Sequence, residues 1–142
     1  MEARRLGMEN YDALVALWAE AGLPVKLRGR DAREAIERQL KLPHIAFLGL
    51  FDGDLLVGAA IATHDGRKGW VNHLAVRASH RRRGLGRTLV RACEQWLDAE
   101  GIRIFACLVE AGSDASRALF GTLGYALFEG VTYHTKRLDP GA

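Results

Sequence analysis

The chain has 142 residues, of which 49% are hydrophobic and 26% are charged, with three prolines and two cysteines. This length matches one ordinary domain with its own core, so we expect residues 1–142 to form a single domain. The composition excludes disordered, collagenous and low-complexity chains. No apolar run approaches the roughly 18–20 residues of a membrane span, and the first residues lack the apolar segment of a signal peptide, so we expect a cytoplasmic protein without a membrane partner.

Positive charge is unevenly distributed along the chain. Between Gly66 and Cys93 there are eight Lys and Arg residues and no acid, and since the whole chain carries +3, the remainder carries −5. A local cationic block on a mildly acidic body indicates an anionic ligand held at one place.

Two amphipathic helices are predicted in the first third of the chain. In residues 9–21 and 31–42, apolar side chains recur at helical spacing. Asn10 and Asp31 are the candidate N-caps, and Pro43 ends the second pattern.

The middle of the chain predicts strands. Apolar runs at residues 45–51 and 55–63 flank Asp52-Gly53-Asp54, and Asp-Gly between such runs is a strong hairpin signal. Residues 70–76, WVNHLAV, predict the next strand, and residues 3–6 predict a weak first strand.

Helices and strands then alternate. Residues 85–98 have helical spacing, and residues 102–109, IRIFACLV, predict a strand buried on both faces. A short helix over residues 113–124 precedes residues 125–138, which predict a final pair of strands. The order indicates an α/β protein with a mixed sheet, in which the strand–helix–strand unit at residues 70–109 gives a parallel pair.

The segment at residues 80–87, HRRRGLGR, lies between a predicted strand and the helix that follows it. A helix N-terminus offers about four unpaired N–H groups and a positive dipole end, and Gly84 and Gly86 carry no side chain that would keep a phosphate away. Arginines add charge-assisted hydrogen bonds, so this segment fits a diphosphate. The arginines concerned are Arg81, Arg82, Arg83 and Arg87.

Two common phosphate-binding loops do not fit this segment. A Walker loop ends in Gly-Lys-Ser/Thr, whereas here Arg87 and Thr88 follow the last glycine. A dinucleotide-binding loop needs a third glycine where Leu89 stands.

The pattern R-x-x-G-x-G, formed by Arg81, Gly84 and Gly86 after the strand at residues 70–76, resembles the acetyl-CoA-binding motif of the GNAT superfamily of N-acetyltransferases. Residues 113–125, SDASRALFGTLGY, are similar to the superfamily's N-x-x-A-x-x-x-Y-x-x-x-G-F segment. The resemblance implies an α/β GNAT-like fold. Its mixed, splayed sheet would have about six to seven strands with a central parallel pair, flanked by about four helices.

The resemblance also implies the reaction and its co-substrate. Acetyl-CoA would donate an acetyl group directly to a primary amine of a small molecule or peptide, with no metal. Its pantetheine arm would bond to the main chain of Leu74 and Val76, and its pyrophosphate would rest on the amides of residues 82–87. The cofactor-binding residues implied are Leu74, Ala75, Val76, Arg81, Arg82, Arg83, Gly84, Leu85, Gly86, Arg87, Ser113, Ser116 and Phe120.

The position of the superfamily's usual acid, a tyrosine, is occupied by Phe120, and Ser113 replaces the motif's asparagine. Phenylalanine donates no proton. The thiolate would therefore leave unassisted or through water, or receive a proton from Tyr125, Tyr133 or a cysteine, or else transfer would be weak or lost. A thiol pKa of about 8.5 lies only about 1.5 units above neutral pH, or about 2 kcal/mol, so an acid helps without being indispensable.

The general base is left open by the sequence. Strand alternation puts Asn72 on one face of residues 70–76 and His73 on the other. In relatives the face of Asn72 tends to look toward the acceptor, which would hide His73 behind the sheet unless a β-bulge reverses the order. Glu110 would act through a water. The candidate catalytic residues are Asn72, His73, Glu110 and Tyr133.

Two other functions fit part of the pattern. A non-catalytic acyl-CoA sensor would explain Phe120. A nucleic-acid-binding module would use the arginines, but the basic stretch contains only Trp70 as an aromatic residue, so we expect no nucleic-acid partner. In such folds, exposed last strands of two copies can pair, so a homodimer is a further alternative.

Overall fold

The computed structural model describes residues 1–142 and contains five strands and four α-helices in a mixed α/β arrangement. Two short 3₁₀ turns lie at Met8–Asn10 and Ala78–His80. The strands are β1 (Arg4–Arg5), β2 (Ile45–Asp52), β3 (Leu55–His64), β4 (Gly69–Val76) and β5 (Phe105–Ala106). The helices are α1 (Tyr11–Glu20), α2 (Arg33–Leu40), α3 (Leu85–Ala99) and α4 (Asp114–Thr122).

The strands form one sheet in the order β1-β2-β3-β4-β5. The first three pairings are antiparallel, and β4 with β5 is parallel. The predicted hairpin is present, with Gly53 at φ +60 in the turn, a left-handed conformation that glycine adopts without strain. The predicted mixed α/β class and the parallel pair are therefore confirmed, although the pair lies at one edge of the five-stranded sheet rather than in its centre.

Apolar side chains alternate along the strands and fill two cores, one on each face of the sheet. On one face the strands pack with α3 and Phe120 of α4 around Leu89, Val90 and Cys93. On the other face α1 and α2 cover the sheet around Trp18 and Phe47. The sheet is thus the middle layer of three, because each of its faces must bury its apolar stripe.

One of the two predicted N-caps lies at its predicted position. Asn10 is the N-cap residue of α1, but its side chain accepts a hydrogen bond from the backbone N–H of Gly7 rather than from α1. Asp31 lies before Ala32, the N-cap of α2, and its carboxylate accepts the backbone N–H of Lys26 at 2.8 Å. Asp31 therefore stabilises the α1–α2 connection, a role that a local cap signal does not reveal.

The sheet has five strands rather than the six to seven expected. The run at residues 102–109 pairs only at Phe105–Ala106, and residues 107–109 make no backbone hydrogen bond. Its predicted burial on both faces is also wrong, because Ile104 and Leu108 are 53% and 55% exposed. The predicted strand pair in residues 125–138 is absent, since no backbone group of residues 126–138 forms a backbone hydrogen bond.

None of the four α-helices has the length and apolar character that a bilayer-spanning helix requires.

Candidate active site

A gap opens in the sheet between β4 and β5. The two parallel strands pair only at Gly69 with Phe105 and Trp70 with Ala106, and beyond these pairs β4 has no partner on that side. The backbone N–H of Arg77 donates to Val57 of β3, so by alternation the N–H groups of Leu74 and Val76 point into the gap. An amide-bearing chain lying in the gap would find these groups unpaired, as would an added strand.

A β-bulge lies in β4 beside the gap. The register passes from Asn72 opposite Ile61 to Ala75 opposite Ala59, so His73 and Leu74 share one partner position on β3. His73 has φ +51, a left-handed conformation that is uncommon outside glycine.

The bulge corrects the alternation predicted for residues 70–76. Ile61, opposite Asn72, packs on the α1 face, and His73 meets Trp18 of α1 edge-on at 5.1 Å between ring centroids. Leu74 instead packs on the α3 face, whereas alternation assigned it to the face of Asn72. Asn72 and His73 therefore lie on the same face, so His73 is not hidden behind the sheet.

The segment between β4 and α3 presents a row of unpaired donors. Arg82 and Gly84 have φ +63 and +76, and none of the six N–H groups of residues 82–87 donates to a backbone acceptor. Arg81, Arg82, Arg83 and Arg87 form no salt bridge and are exposed, and Nε of Arg81 donates to the carbonyl of Val76 at 3.2 Å. Such a row at a helix N-terminus, flanked by exposed guanidinium groups, is suited to paired phosphates.

The two glycines of this loop have different roles. A Cβ on Gly84 would meet no atom within 4 Å, so packing does not require a glycine here. Its positive φ favours glycine, and the missing side chain leaves the main chain open to a ligand. A Cβ on Gly86 would lie 3.1 Å from Cδ2 of Leu119, so this glycine also allows α4 to pack closely on the first turn of α3.

The loop between β4 and α3, residues 77–84, is named the phosphate loop for the ligand that it suits, and carboxylates from distant elements hold it. Glu20 at the end of α1 accepts hydrogen bonds from the Arg77 guanidinium at 2.8 Å and from the backbone N–H of Ala78 at 2.9 Å. Buried His80 places Nε2 2.9 Å from an Asp52 carboxylate oxygen and Nδ1 2.7 Å from the Ser79 hydroxyl. The sequence analysis missed these anchors, because Glu20 and Asp52 carry no local signal beyond a helix end and a turn.

His73 is a half-buried imidazole beside the α1–α2 connection. Burial holds its pKa below the ordinary 6.5, and the positive charge of Arg30 lowers it further. Its Nε2 is buried and has no hydrogen-bond partner. The ring is therefore neutral at neutral pH, and a neutral imidazole has one nitrogen that can accept a proton.

The other candidate catalytic residues are dispersed. Asn72 is half-buried on β4, and Glu110 is exposed beyond β5, where its carbonyl accepts the N–H of Ser113. Tyr133 is 73% exposed and lies far along the chain from the elements around the gap. The structure brings only Asn72 and His73 together.

The residues of α4 frame the gap differently from the resemblance. Ser113 precedes α4 and makes no side-chain cap bond, Ser116 is half-buried, and Phe120 is 6% exposed within the α3-side core. The Tyr125 hydroxyl donates to Glu94 at 2.8 Å, and burial together with this carboxylate raises the pKa of Tyr125.

The thiols are also weak acids here. Burial raises the pKa of Cys107, and it raises the pKa of Cys93 to about 12. No group of three or more His, Cys, Asp and Glu side chains lies together as metal ligands would.

Comparison with known proteins identifies the family. Residues 11–125 match the family model described as the acetyltransferase (GNAT) family.

The chain belongs to the GNAT acetyltransferase family.

Solved GNAT structures share its fold. One is an aminoglycoside 6'-N-acetyltransferase from Acinetobacter haemolyticus, with TM-score 0.79, 18% identity, and coverage of 98% of this chain and 100% of that chain. The PaiA N-acetyltransferase from Thermoplasma acidophilum, solved with coenzyme A, has TM-score 0.78, 19% identity and coverage of 89% and 90%. The aminoglycoside acetyltransferase AAC(6')-Iy, bound to a bisubstrate analogue of CoA, has TM-score 0.79, 22% identity and coverage of 96% and 97%. Among curated proteins, no sequence matches the chain.

Proposed function

We propose that residues 1–142 act as one acetyltransferase domain that moves an acetyl group from acetyl-CoA to a primary amine of a small molecule or peptide. The carrying observation is the row of six unpaired N–H groups at residues 82–87, next to a gap into which Leu74 and Val76 turn their N–H groups. The loop suits the pyrophosphate, and the gap suits the amide-bearing arm. Coenzyme A, bound as such in one similar fold and as part of a bisubstrate analogue in another, carries both chemical features.

The transfer needs a neutral amine. The acceptor nitrogen attacks the thioester carbonyl carbon, the C–N bond forms, the C–S bond breaks, and the nitrogen loses a proton. A lysine-like amine of pKa about 10.4 is neutral only about once in 2,500 at pH 7, so a base matters most for such acceptors. Neutral His73, with its unpartnered Nε2 on the α1 face, is the residue we propose to accept that proton.

The leaving thiolate is proposed to take its proton from water. Phe120 is buried and has no proton to give, Tyr125 donates to Glu94, and Tyr133 is exposed. The raised pKa values of Tyr125 and Cys107 oppose their use as acids. Since the thiolate costs only about 2 kcal/mol at neutral pH, the enzyme is expected to be slow rather than inactive.

The acceptor is proposed to carry a carboxylate beside its amine. A surface cavity of about 710 Å³ over α2 and the α1–α2 connection is lined by Arg28, Arg30 and Arg38, with Glu34 as its one acid. Arg30 also acts on the pKa of His73, which ties this cavity to the proposed base. Arginines prefer carboxylates over cations, so free amino acids are favoured over polyamines and aminoglycosides.

Free-thiol release from acetyl-CoA, measured over a panel of amines, tests the reaction. Amino acids, short peptides, polyamines and aminoglycosides are each offered, and thiol release above the rate without amine is expected for the carboxylate-bearing class. Release with polyamines or aminoglycosides alone would keep the reaction but reject the acceptor class.

Thermal protection separates the remaining alternatives. Acetyl-CoA is expected to raise the melting temperature at low and high salt, whereas binding of nucleic acid through phosphate contacts falls steeply with salt. Protection without thiol release for any amine would indicate an acyl-CoA sensor. Absence of protection would reject the proposed site.

A further inference from the structure

A hydroxyl, an imidazole and a carboxylate meet at the start of the phosphate loop, apart from the row of N–H groups at residues 82–87. Ser79 and His80 belong to the 3₁₀ turn of this loop, and Asp52 is the last residue of β2. Oγ of Ser79 lies 2.7 Å from Nδ1 of His80, and Nε2 of the same ring lies 2.9 Å from a carboxylate oxygen of Asp52. One imidazole therefore connects the hydroxyl to the carboxylate.

The carboxylate determines which nitrogen of this imidazole carries the hydrogen. An ionised carboxylate only accepts hydrogen bonds, so Nε2 of His80 donates to Asp52. In the neutral ring the lone pair is then on Nδ1, and the hydroxyl of Ser79 donates to it. An activated serine has this proton arrangement, in which a base accepts the hydroxyl proton and a carboxylate holds the base in the required tautomer.

The burial of the cluster suits a nucleophile that meets its substrate from solvent. His80 is buried, so its ring is held in place, whereas Ser79 is exposed and can be approached. The chain contains two other serines, Ser113 and Ser116, and neither bonds to a histidine. Ser79 is therefore the serine whose surroundings favour reaction.

The charge next to Ser79 indicates the class of molecule that would react there. Arg82 and Arg83 follow within four residues, are exposed and form no salt bridge. Exposed guanidinium groups attract phosphates and favour negative charge that develops nearby. An acyl phosphate combines such a phosphate with a carbonyl carbon that a hydroxyl can attack.

We propose that Ser79, His80 and Asp52 form a second reactive centre, in which the Ser79 hydroxyl takes the acyl group of an acyl phosphate and passes it to water. Oγ attacks the carbonyl carbon, the bond from that carbon to the phosphate oxygen breaks, and the hydroxyl proton passes through Nδ1 of His80 to the departing phosphate. Water then attacks the acyl-serine ester, releases the carboxylic acid and restores the hydroxyl. The sum is acyl phosphate plus water giving carboxylic acid plus phosphate.

Asp52 is a positioning residue in this centre, because it acts through His80 and does not touch the substrate. The centre uses neither acetyl-CoA nor an amine. It is therefore independent of the proposed acetyl transfer, and its tests are carried out without either compound.

A fluorophosphonate probe, which attaches to activated serines, tests the nucleophile. Wild type is expected to be labelled at Ser79, as located by peptide mass spectrometry, while Ser113 and Ser116 of the same molecule stay unlabelled. Thr132→Ala is the matched control, since Oγ1 of Thr132 lies 2.6 Å from Nε2 of His134, a ring with no carboxylate partner. This variant should be labelled like wild type. No labelling of Ser79, or equal labelling of all serines, would overturn the proposal.

Release of inorganic phosphate from acetyl phosphate tests the reaction. Wild type is expected to release phosphate faster than buffer, and Ser79→Ala should return to the buffer rate. His80→Gln should lower the protein-dependent rate by about 10²- to 10⁴-fold. Acid-quenched wild type should carry an acetyl group on Ser79. Release that persists in Ser79→Ala would overturn the proposal, as would a phosphoryl group in place of the acetyl group. Circular dichroism and melting confirm that each variant is folded.

Nitrogen NMR of the His80 ring tests the tautomer in wild type, without any substitution. Hydrogen on Nε2 alone is expected at neutral pH, and hydrogen on Nδ1 would overturn the proposal. Asp52→Asn should slow labelling of Ser79 by up to about 10⁴-fold, as when a catalytic histidine loses its orienting carboxylate. Asp54→Asn, in the same turn, is the control that keeps the wild-type rate. Equal rates in the two variants would reject the positioning role of Asp52.

Discussion

Two strand pairs of the sheet, β2 with β3 and β4 with β5, differ in the length over which they stay hydrogen-bonded. β2 and β3 remain paired along eight residue positions after a tight turn at Gly53, whereas β4 and β5 pair at only two. A tight turn joins β2 to β3. The phosphate loop, which includes the 3₁₀ turn at Ala78–His80, and α3 connect β4 to β5. A short turn forces neighbouring strands together, while a long crossover lets them separate.

We expect the closed pair, β2 with β3, to determine stability and the open pair, β4 with β5, to determine ligand binding. Along the closed pair, buried side chains from both strands fill the cores on both faces of the sheet. Beside the open pair, the backbone N–H groups of residues 82–87 have no backbone acceptor, and the arginines among these residues form no salt bridge. Substitutions on the closed side should therefore alter unfolding, and those on the open side should alter binding and rate.

The largest expected effect is at the bulge, with His73→Gln. Loss of the proposed base is expected to lower kcat/KM by about 10²- to 10⁴-fold. Because burial keeps the pKa of His73 below 6.5, wild-type kcat/KM should fall only as pH drops below that value, and the variant should lose this acidic limb. His44→Gln, an exposed imidazole, is the control that keeps it. An unchanged pH–rate profile in His73→Gln would contradict the assignment.

His73 also makes stability depend on pH. In the range between its lowered folded pKa and 6.5, the unfolded chain binds a proton that the folded imidazole does not, so stability rises with pH there and is lost on acidification. Melting temperatures of wild type and His73→Gln, measured from pH 7.5 downwards, should converge as pH falls through this range. A constant difference would show that another group titrates.

On the closed pair, Leu50→Ala is expected to lower the free energy of unfolding by about 2–5 kcal/mol, because the Leu50 side chain is fully buried and its truncation leaves a cavity. Leu55→Ala, in the same hairpin at 45% exposure, is the matched control and should cost far less. Urea unfolding measures both. Calorimetry on the folded proteins should find equal acetyl-CoA affinity in both variants. A lower affinity in Leu50→Ala alone would show that the closed pair also contributes to ligand binding.

Gly84→Val and Gly53→Val compare the two sides directly. Both glycines have positive φ and open space around a new Cβ, so each substitution is expected to strain the backbone by about 1–3 kcal/mol. Only Gly84→Val should weaken acetyl-CoA binding, by about 10- to 100-fold, through loss of one or two hydrogen bonds to phosphate. Equal affinities in the two variants, measured by calorimetry, would remove the phosphate site from this loop.

The smallest expected effect concerns the anchor of the phosphate loop. Asp52→Ala removes the carboxylate 2.9 Å from His80 and should weaken acetyl-CoA binding by about 0.5–1.5 kcal/mol without touching the ligand. Asp54→Ala, in the same turn, is the control with no such hydrogen bond. KM for acetyl-CoA should rise in Asp52→Ala while kcat stays constant, and a fall in kcat alone would exclude a positioning role.

Local signals were sufficient for much of the fold. The hairpin at Gly53 and the helix that begins at Leu85 depend on residues close in the chain, and the structure confirms both. The resemblance to the GNAT superfamily, carried by Arg81 and the two glycines after it, is confirmed by the family match.

Features that depend on contacts between distant segments could not be predicted from the sequence. The bulge at His73 interrupts the two-residue period of β4, and no residue pattern in WVNHLAV indicates it. The shortness of β5 follows from its divergence from β4, so an apolar run alone overstated its pairing. Glu20 and Asp52 reach the phosphate loop only once the chain has folded. The roles of the candidate catalytic residues stay predictions.

The anchored phosphate loop has a consequence for turnover. Since Glu20 and Asp52 hold the loop in shape before any ligand arrives, little ordering entropy is expected to oppose binding. The grip acts on phosphates that acetylation leaves unaltered, so the spent carrier should bind about as well as the charged one. On the proposed function, product inhibition by free coenzyme A is therefore expected, and the rate should follow the ratio of acetyl-CoA to free coenzyme A more closely than the amount of either.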